Sequence, residues 1–453
     1  MGRFSGPPAW SLLVSFLLAL SGCTDRPPNV ILISLDTVRA DHLSVYGYQR
    51  STTPNLERLA QEGIVFERAF TQTPWTVPSH MSVFTSLYPS VHSITHLTPQ
   101  SDMTTMLQET LREAGYLTAA FVAPVLSEDY GFSKGFDHYV RTDSVRPAEI
   151  MVDRVLQWLA GDPSDPVIRH QPFFLFLHLF DAHHPYEPPW PFDTAYVPAH
   201  RSNLREISAT HPYTQEKNLT DEELSEVVAL YDGEIAHADF AIGRLLDTLR
   251  DLRLYDKSLI VVFGDHGEGF LEHGLMNHGN SVYEELIRVP LLARLPSARF
   301  AGKRVQEPVQ LIDITPTILQ EVGLKPSPLM QGSFLLDPLP DNSRRFAYAS
   351  EAYAACIRTQ TWKLIENPPS RTQTIPRALD VEYELYDLDK DPGEENNLAG
   401  ELPDRVTSMA QVLRKIDDLN QELRRRIREA LDVRELELSE EQERELRALG
   451  YVQ

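Results

Sequence analysis

The sequence predicts an α/β fold: a mostly parallel central sheet flanked by helices, with a smaller antiparallel subdomain toward the C-terminus. Three observations carry this. Four apolar, β-rich runs, "VILISL" (30 to 35), "LTAAFVA" (117 to 123), "FFLFLHLF" (173 to 180) and "SLIVVFG" (258 to 264), read as strands buried on both faces. Helical stretches alternate with them, which is the pattern of a parallel sheet. After Leu324 a Pro-rich passage leads into short strand-like pieces, "RFAYAS", "CIRTQTWKLIE" and "YELYDLD".

The helices carry recognisable ends. "TTPNLERLAQEG" places Thr53 as a cap, Pro54 in the first turn and Gly63 as a stop. "RPAEIMVDRVLQWLAG" (146 to 161) has helical apolar spacing and ends on glycine. The stretch from 219 to 252 opens with a capping box, Thr220 and Glu223, and keeps its period for many turns. The tail from 403 to 453, rich in Glu, Arg and Leu, is expected to be helical. Little periodicity marks 189 to 218, as in binding loops over α/β sheets.

The chain has 453 residues, 42% hydrophobic and 24% charged, enough for a large core. Its net charge of −23 argues against nucleic acid as a partner and against attachment to an anionic bilayer through charge. An anionic substrate therefore needs a local positive site, most simply a metal. The N-terminus reads as a processing signal over 1 to 22: Arg3, the short apolar run "SLLVSFLLAL", then "LSGC", which resembles the bacterial lipobox and marks Cys23 for lipidation. An ordinary cleaved signal peptide is the alternative. The expectation is a lipoprotein of the bacterial cell envelope, facing periplasm or exterior and touching the membrane through its N-terminal lipid only. With Cys23 used, Cys356 has no disulfide partner.

In open α/β sheets ligands sit beyond the carboxyl ends of the strands. There "VILISL" runs into Asp36, "FFLFLHLF" into Asp181, His183 and His184, and "SLIVVFG" into Asp265 and His266. Asp36, Asp265 and His266 together offer two hard oxygens and one nitrogen, a reasonable set for a divalent cation. In "TPWTVPSH", Pro78 fixes the backbone and Ser79 can cap the run that follows. Thr76 is thus expected just before a helix N-terminus, where negative charge is favoured. A threonine hydroxyl is a poor nucleophile unaided, and bonding to a cation would activate it.

Read together, "NVILISLDTVRADHLSVYGY", "TPNLERLAQEGIVFERAF", "TPWTVPSHMSVFTSLYPSVH", "DAHHPY", "GDHGEGFLEHG", "NSVYEELIRVPLL", "LIDITPTIL", "TWKLI" and "ELYDLDKDPGEENNL" resemble the successive blocks of the sulfatases, within the alkaline phosphatase superfamily. The resemblance implies an alkaline-phosphatase-like α/β sandwich. Its catalytic domain would span 29 to 325 and its C-terminal antiparallel subdomain 345 to 398, a four-stranded sheet with a helix. It also implies metal-assisted attack on a sulfate or phosphate ester. By position, Asp36, Asp265 and His266 match metal ligands, Thr76 stands where the family keeps its nucleophile, and His183 and His278 fall at ester contacts.

The departures from the family pattern are informative. Typical sulfatases carry Cys or Ser-x-Pro-Ser-Arg, whose first residue becomes formylglycine; here the run is Thr76-Val77-Pro78-Ser79-His80. A sulfated threonine lacks the elimination by which a formylglycine hydrate releases sulfate, whereas a phosphorylated one can be cleaved by water. The usual Asp-Asp is Asp36-Thr37, one oxygen fewer than calcium would use, so zinc or manganese is favoured over calcium or magnesium. The lysine often found ahead of "YEE" is absent. The expectation is a hydrolase or phospho-group transferase that favours phosphoesters on a small molecule, glycan or lipid head group. The alternatives are a sulfuric ester hydrolase and an inactive glycan- or lipid-binding lipoprotein. Arg39 with Asp41, Arg288 and Asp313 read as scaffold. His273 in "EHG" is open between loop support and support of the metal, and Trp75 and Trp190 between pocket lining and packing.

Overall fold

The computed structural model describes residues 26–94, 104–142, 147–161, 171–197, 219–336, 346–350, 354–367 and 381–431. The expectations for Cys23, for most of the 189 to 218 loop and for the tail beyond 431 lie outside them.

Eight strands form the central sheet: β1 (Asn29–Leu35), β2 (Ile64–Phe66), β3 (Leu117–Val122), β4 (His138–Arg141), β5 (Phe173–Leu179), β6 (Ser258–Gly264), β7 (Leu291–Arg294) and β8 (Lys303–Val305). Their order is β8-β2-β7-β6-β1-β5-β3-β4. The four runs legible in the sequence are the four central parallel strands, and β1, β5 and β6 are buried at every position. Only β7 runs against its neighbours. Alternate side chains feed two cores, one per face: Val30, Leu32, Phe174 and Phe176 on one, Ile31, Ile33, Leu175 and Leu177 on the other. The register sets Leu35 against both Leu179 and Gly264, so the chains leaving β1, β5 and β6 emerge side by side at one edge.

Four helices frame this edge and the core behind it: α1 (Pro54–Gln61), α2 (Thr76–Thr85), α3 (Ala148–Ala160) and the 31-residue α4 (Asp221–Asp251). The capping box of α4 is present, with Glu223 N donating to Thr220 Oγ1 at 3.2 Å and Thr220 N to Glu223 Oε2 at 2.9 Å. Two expectations are corrected. Thr53 stands at the cap position of α1 without bonding to the helix through its side chain. Asp239 of α4 supplies the cap instead, accepting from Asn55 N and Leu56 N, each at 2.9 Å. Ser79 does not cap α2 either: the helix begins at Thr76, and Ser79 lies inside it, donating to the carbonyl of Asp265 at 2.8 Å.

The C-terminal strands β9 (Ala347–Ser350), β10 (Ala355–Arg358), β11 (Trp362–Glu366) and β12 (Tyr383–Asp387) form an antiparallel sheet in sequential order. "CIRTQTWKLIE" is a hairpin rather than one strand, closed by Thr359 N donating to Trp362 O at 2.8 Å. Helix α5 (Pro403–Leu431) packs Leu413 and Ile416 with Ile357, Leu364 and Leu385 of this sheet. The subdomain is not a separate body: Cys356, Ile365 and Tyr386 share an apolar cluster with Phe70, Val282 and Ile287 of the larger unit. Lys363, fully buried, reaches Glu394 of its own subdomain at 2.8 Å and, across the seam, Glu284 at 3.4 Å. Cys356 is free and buried, and no described helix is long and apolar enough to cross a membrane.

Candidate active site

The register of β1 and β6 delivers Asp36 and Asp265 to adjacent positions one residue beyond each strand. The backbone is pinned there by Asp36 N donating to Leu179 O at 2.9 Å and Asp265 N to Leu35 O at 3.3 Å. Asp265 Oδ1 accepts from Thr37 N at 3.0 Å and from His266 N at 2.8 Å. Thr37 sits at φ +55°, a costly conformation for a β-branched residue, and its hydroxyl turns back to the carbonyl of Asp36. The extra oxygen that an aspartate would offer here is thus replaced by a side chain used locally.

Ligand atoms of Asp36, Asp265 and His266 all lie within 4.8 Å of one another. Thr76 joins them, its Oγ1 3.2 Å from His266 Nε2. His266 Nδ1 donates to Gly267 O at 3.0 Å, which fixes the tautomer and leaves the Nε2 lone pair facing Thr76. All four side chains are fully buried. Thr76 is therefore the first residue of a ten-residue helix, where backbone N–H groups and the dipole favour an anion.

The electrostatics point to a missing positive charge. Burial pushes the carboxyls of Asp36 and Asp265 up to about 7, Glu268 adding to the first and Asp36 to the second. Burial also raises Glu268 to about 7 and lowers His266 and His278 to about 4. Asp36 Oδ1 and Asp265 Oδ2 are buried and make no hydrogen bond among the described residues. Two orphaned carboxylate oxygens beside an imidazole lone pair suit a divalent cation, so the donor set fits the metal that the sequence suggests.

His183 and His278 also reach the cluster. The ring of His183 stacks on Phe180 at 4.3 Å, and its Nδ1 donates to His184 O at 2.7 Å. His278 lies 5.1 Å from His183 and 4.5 Å from His266 between ring centroids. Trp75 packs edge-on against His278 at 5.5 Å. Gly279, at φ +78°, permits that contact, because a Cβ there would come within 2.2 Å of the indole. Trp75 is thus packing behind an imidazole, whereas Trp190 is 82% exposed.

Other side chains go elsewhere. Asp181, at the same sheet edge, turns away to His237 Nδ1 at 2.8 Å and Ala148 N at 2.9 Å, capping α3 within a separate buried group with Glu234. His273 stacks on Tyr283 at 3.6 Å and bonds Glu285 at 2.7 Å, which makes it loop support rather than support for a metal. Arg39 forks onto Asp41 and also bonds Glu272 and the carbonyl of Glu268, bracing the loop after β6. Asp313 accepts from the N–H groups of Gln310 and Ser333, and Arg288 donates to Glu67 O.

Three residues escaped the sequence reading. His178 Nε2 holds Asp36 Oδ2 at 2.9 Å; a histidine inside an otherwise apolar strand was the available signal. His80 links Ser34 Oγ and Thr76 O, each at 2.8 Å, and its place one helical turn after Thr76 was the signal. Glu268 Oε1 bonds His278 Nδ1 at 3.0 Å; nothing in its sequence context distinguished it from an exposed loop glutamate.

Comparison with known proteins bears on the family and the fold. The Sulfatase family model matches residues 28–324, and a model of the N-sulphoglucosamine sulphohydrolase C-terminal region matches residues 271–425. Arylsulfatase K of Gallus gallus is 26% identical over 91% of this chain and 88% of its own length. The ulvan-active sulfatase of Formosa agariphila is 23% identical over 86% and 74%. Among solved structures, the phosphonate monoester hydrolase of Agrobacterium radiobacter superposes with a TM-score of 0.72 at 22% identity, covering 87% of this chain and 96% of its own. A protein solved with its substrate D-glucosamine-2-N,6-O-disulfate also gives 0.72, at 21% identity over 88% and 99%. With the alkaline-phosphatase-like α/β architecture in place and the family model spanning well over half of the residues, the chain belongs to the sulfatase family, as an ester hydrolase acting on sulfuric or phosphoric esters.

Proposed function

We propose that this enzyme transfers the phospho-group of an ester, with its remaining ester substituent where the substrate is a diester, to Thr76 and then to water or a second acceptor, with phosphodiesters and related monoanionic esters preferred. The observation that carries the reading is the placement of Thr76 Oγ1 at a helix N-terminus, 3.2 Å from His266 Nε2 and beside two orphaned carboxylate oxygens. Asp36, Asp265 and His266 would hold a divalent ion, zinc or manganese before calcium or magnesium, that lowers the pKa of the Thr76 hydroxyl and neutralises charge on the ester oxygens.

The chain's own groups then do the rest. Thr76 Oγ1 bonds to phosphorus in line with the departing ester oxygen, while the first N–H groups of α2 face the anion. His183 and His278 orient the ester from the opposite side. Water cleaves the Thr76 adduct in a second displacement at phosphorus, whereas a threonine O-sulfate lacks the elimination open to a formylglycine hydrate. Charge supports a monoanionic ester: no arginine or lysine bonds to Asp36 or Asp265 among the described residues, and the surrounding imidazoles are held neutral by burial.

Mass spectrometry after quenching with bis-p-nitrophenyl phosphate should find a p-nitrophenylphosphoryl group on Thr76, one p-nitrophenol having left. Thr76→Ala should lose at least ~1000-fold in kcat, as nucleophile removal does elsewhere; full activity of that variant would reject the proposal. A sulfuric ester hydrolase with Thr76 attacking sulfur is the second reading, favoured by the arylsulfatase and ulvan-active sulfatase relatives. Side-by-side turnover of p-nitrophenyl sulfate decides between them. An inactive binding lipoprotein would instead purify without metal. A small-molecule, glycan or lipid-head-group ester at the cell envelope, with the chain tethered through Cys23, completes the proposal; acyl labelling lost in Cys23→Ala would support the tether.

A further inference from the structure

Glu268 follows His266 by two residues, yet it does not point where His266 points. Its Oε1 meets His278 Nδ1 at 3.0 Å and its Oε2 accepts from the Tyr186 hydroxyl at 3.0 Å. Glu268 is fully buried, Tyr186 and His278 are each 2% exposed, and Arg39 holds the Glu268 carbonyl at 3.0 Å. Tyr186 itself sits in the loop that carries His183, its ring 5.5 Å from Tyr231 of α4. The glutamate is therefore fixed at both carboxylate oxygens and at its backbone. When Glu268 is ionised its oxygens can only accept, which places the proton of His278 on Nδ1. Nε2 then lies on the far edge of the ring, the edge turned from Glu268, with the rings of His266 and His183 4.5 and 5.1 Å away between centroids. Trp75 and Gly279 close the remaining side.

We propose that Glu268, steadied by Tyr186, is a positioning residue that locks His278 in the Nδ1–H tautomer and aims its Nε2 lone pair into the site as the proton acceptor of the second displacement. The inference rests on the reading above that Thr76 becomes phosphorylated. In that step the water oxygen bonds to phosphorus as the bond from phosphorus to Thr76 Oγ1 breaks. One water proton passes to Nε2 and is returned to the Thr76 oxygen, so the enzyme ends as it began. The Glu268 carboxylate lies against the ring while it carries the extra proton, the arrangement by which an orienting acid supports an imidazole base in catalytic triads.

Two measurements test this. In the intact enzyme, 15N NMR of His278 should report a protonated Nδ1 and a bare Nε2; the opposite tautomer overturns the proposal whatever the activity. In a double-mutant cycle on bis-p-nitrophenyl phosphate, Glu268→Ala should lower kcat about 100-fold, in the range of acid–base contributions, with KM and bound metal little changed. In the His278→Ala background the same change should cost no more than about two-fold, because the two residues act as a unit. An equal loss in both backgrounds overturns the positioning role. Should Glu268→Ala fail to fold, Glu268→Gln and Tyr186→Phe serve the same cycle and should give smaller, equally non-additive losses. Absence of a phospho-ester adduct on Thr76 with the predicted tautomer present would sink the parent reading, whereas a trapped adduct with additive losses would sink this inference alone.

Discussion

Each ligand-bearing side chain at the sheet edge is backed by a second group, and the second group sets how firmly the first is aimed. His178 Nε2 on Asp36 at 2.9 Å is the clearest case. Replacing it by leucine should weaken metal binding by about 10- to 100-fold without unfolding the protein, a loss typical of outer-shell partners and measurable by metal titration. Chelation should abolish ester turnover, and zinc or manganese should restore it. His92, held against α2 through Ser82, tests the electrostatics of the fold. Burial lowers its pKa to about 3, while its nitrogens bond Ser82 Oγ and Ile94 N. The unfolded chain therefore binds a proton between pH 6.5 and about 3 that the folded one refuses, so stability falls as pH drops through that window. From pH 7 to pH 5 this group alone should cost about 2 kcal/mol, and urea midpoints of His92→Gln should lose that share of the acid dependence. At this scale the sequence was most legible where a residue ends a strand, as Asp36, Asp265 and His266 do. It was least legible for His80, His178 and Glu268, whose roles come from partners 46, 142 and 10 residues distant.

Periodicity and strand burial named the elements well, because β1, β5 and β6 are apolar on both faces and tolerate no other placement. Caps were harder to read, since a helix can take its first acceptors from another element. Thr53 precedes α1 in the chain, yet Asp239 of α4 does the capping. Asp239→Ala should lower stability by about 2 kcal/mol in urea titration, leaving two helix N–H groups without their acceptor. Thr53→Ala is expected to cost less at α1, and comparison of the two variants checks the assignment. Helix α2 shows the opposite case. Its first turn has no side-chain cap; the N–H groups that a cap would satisfy are those the proposed reaction needs.

Across the whole molecule, the boundary drawn at about residue 325 from the Pro-rich passage marks a change of topology rather than a break in packing. Tyr283 donates to Glu384 at 2.7 Å, Glu284 N to Glu394 at 2.6 Å, and His273 reaches the Glu394 carbonyl at 3.3 Å. A chain ending at residue 336 would uncover Phe70, Val282 and Ile287 and strip Glu284 of its lysine. Such a fragment should be insoluble or unfold without a cooperative transition, as read by scanning calorimetry, rather than persist as an active core.

The seam at Lys363, Glu394 and Glu284 has a consequence for how this enzyme could change its diet. The residues it grips flank the segment that holds His278 in place, so grafting a foreign C-terminal module to alter substrate choice would also disturb the chemistry. New specificity is easier to reach by redrawing surface loops on a retained chassis than by trading one half for another.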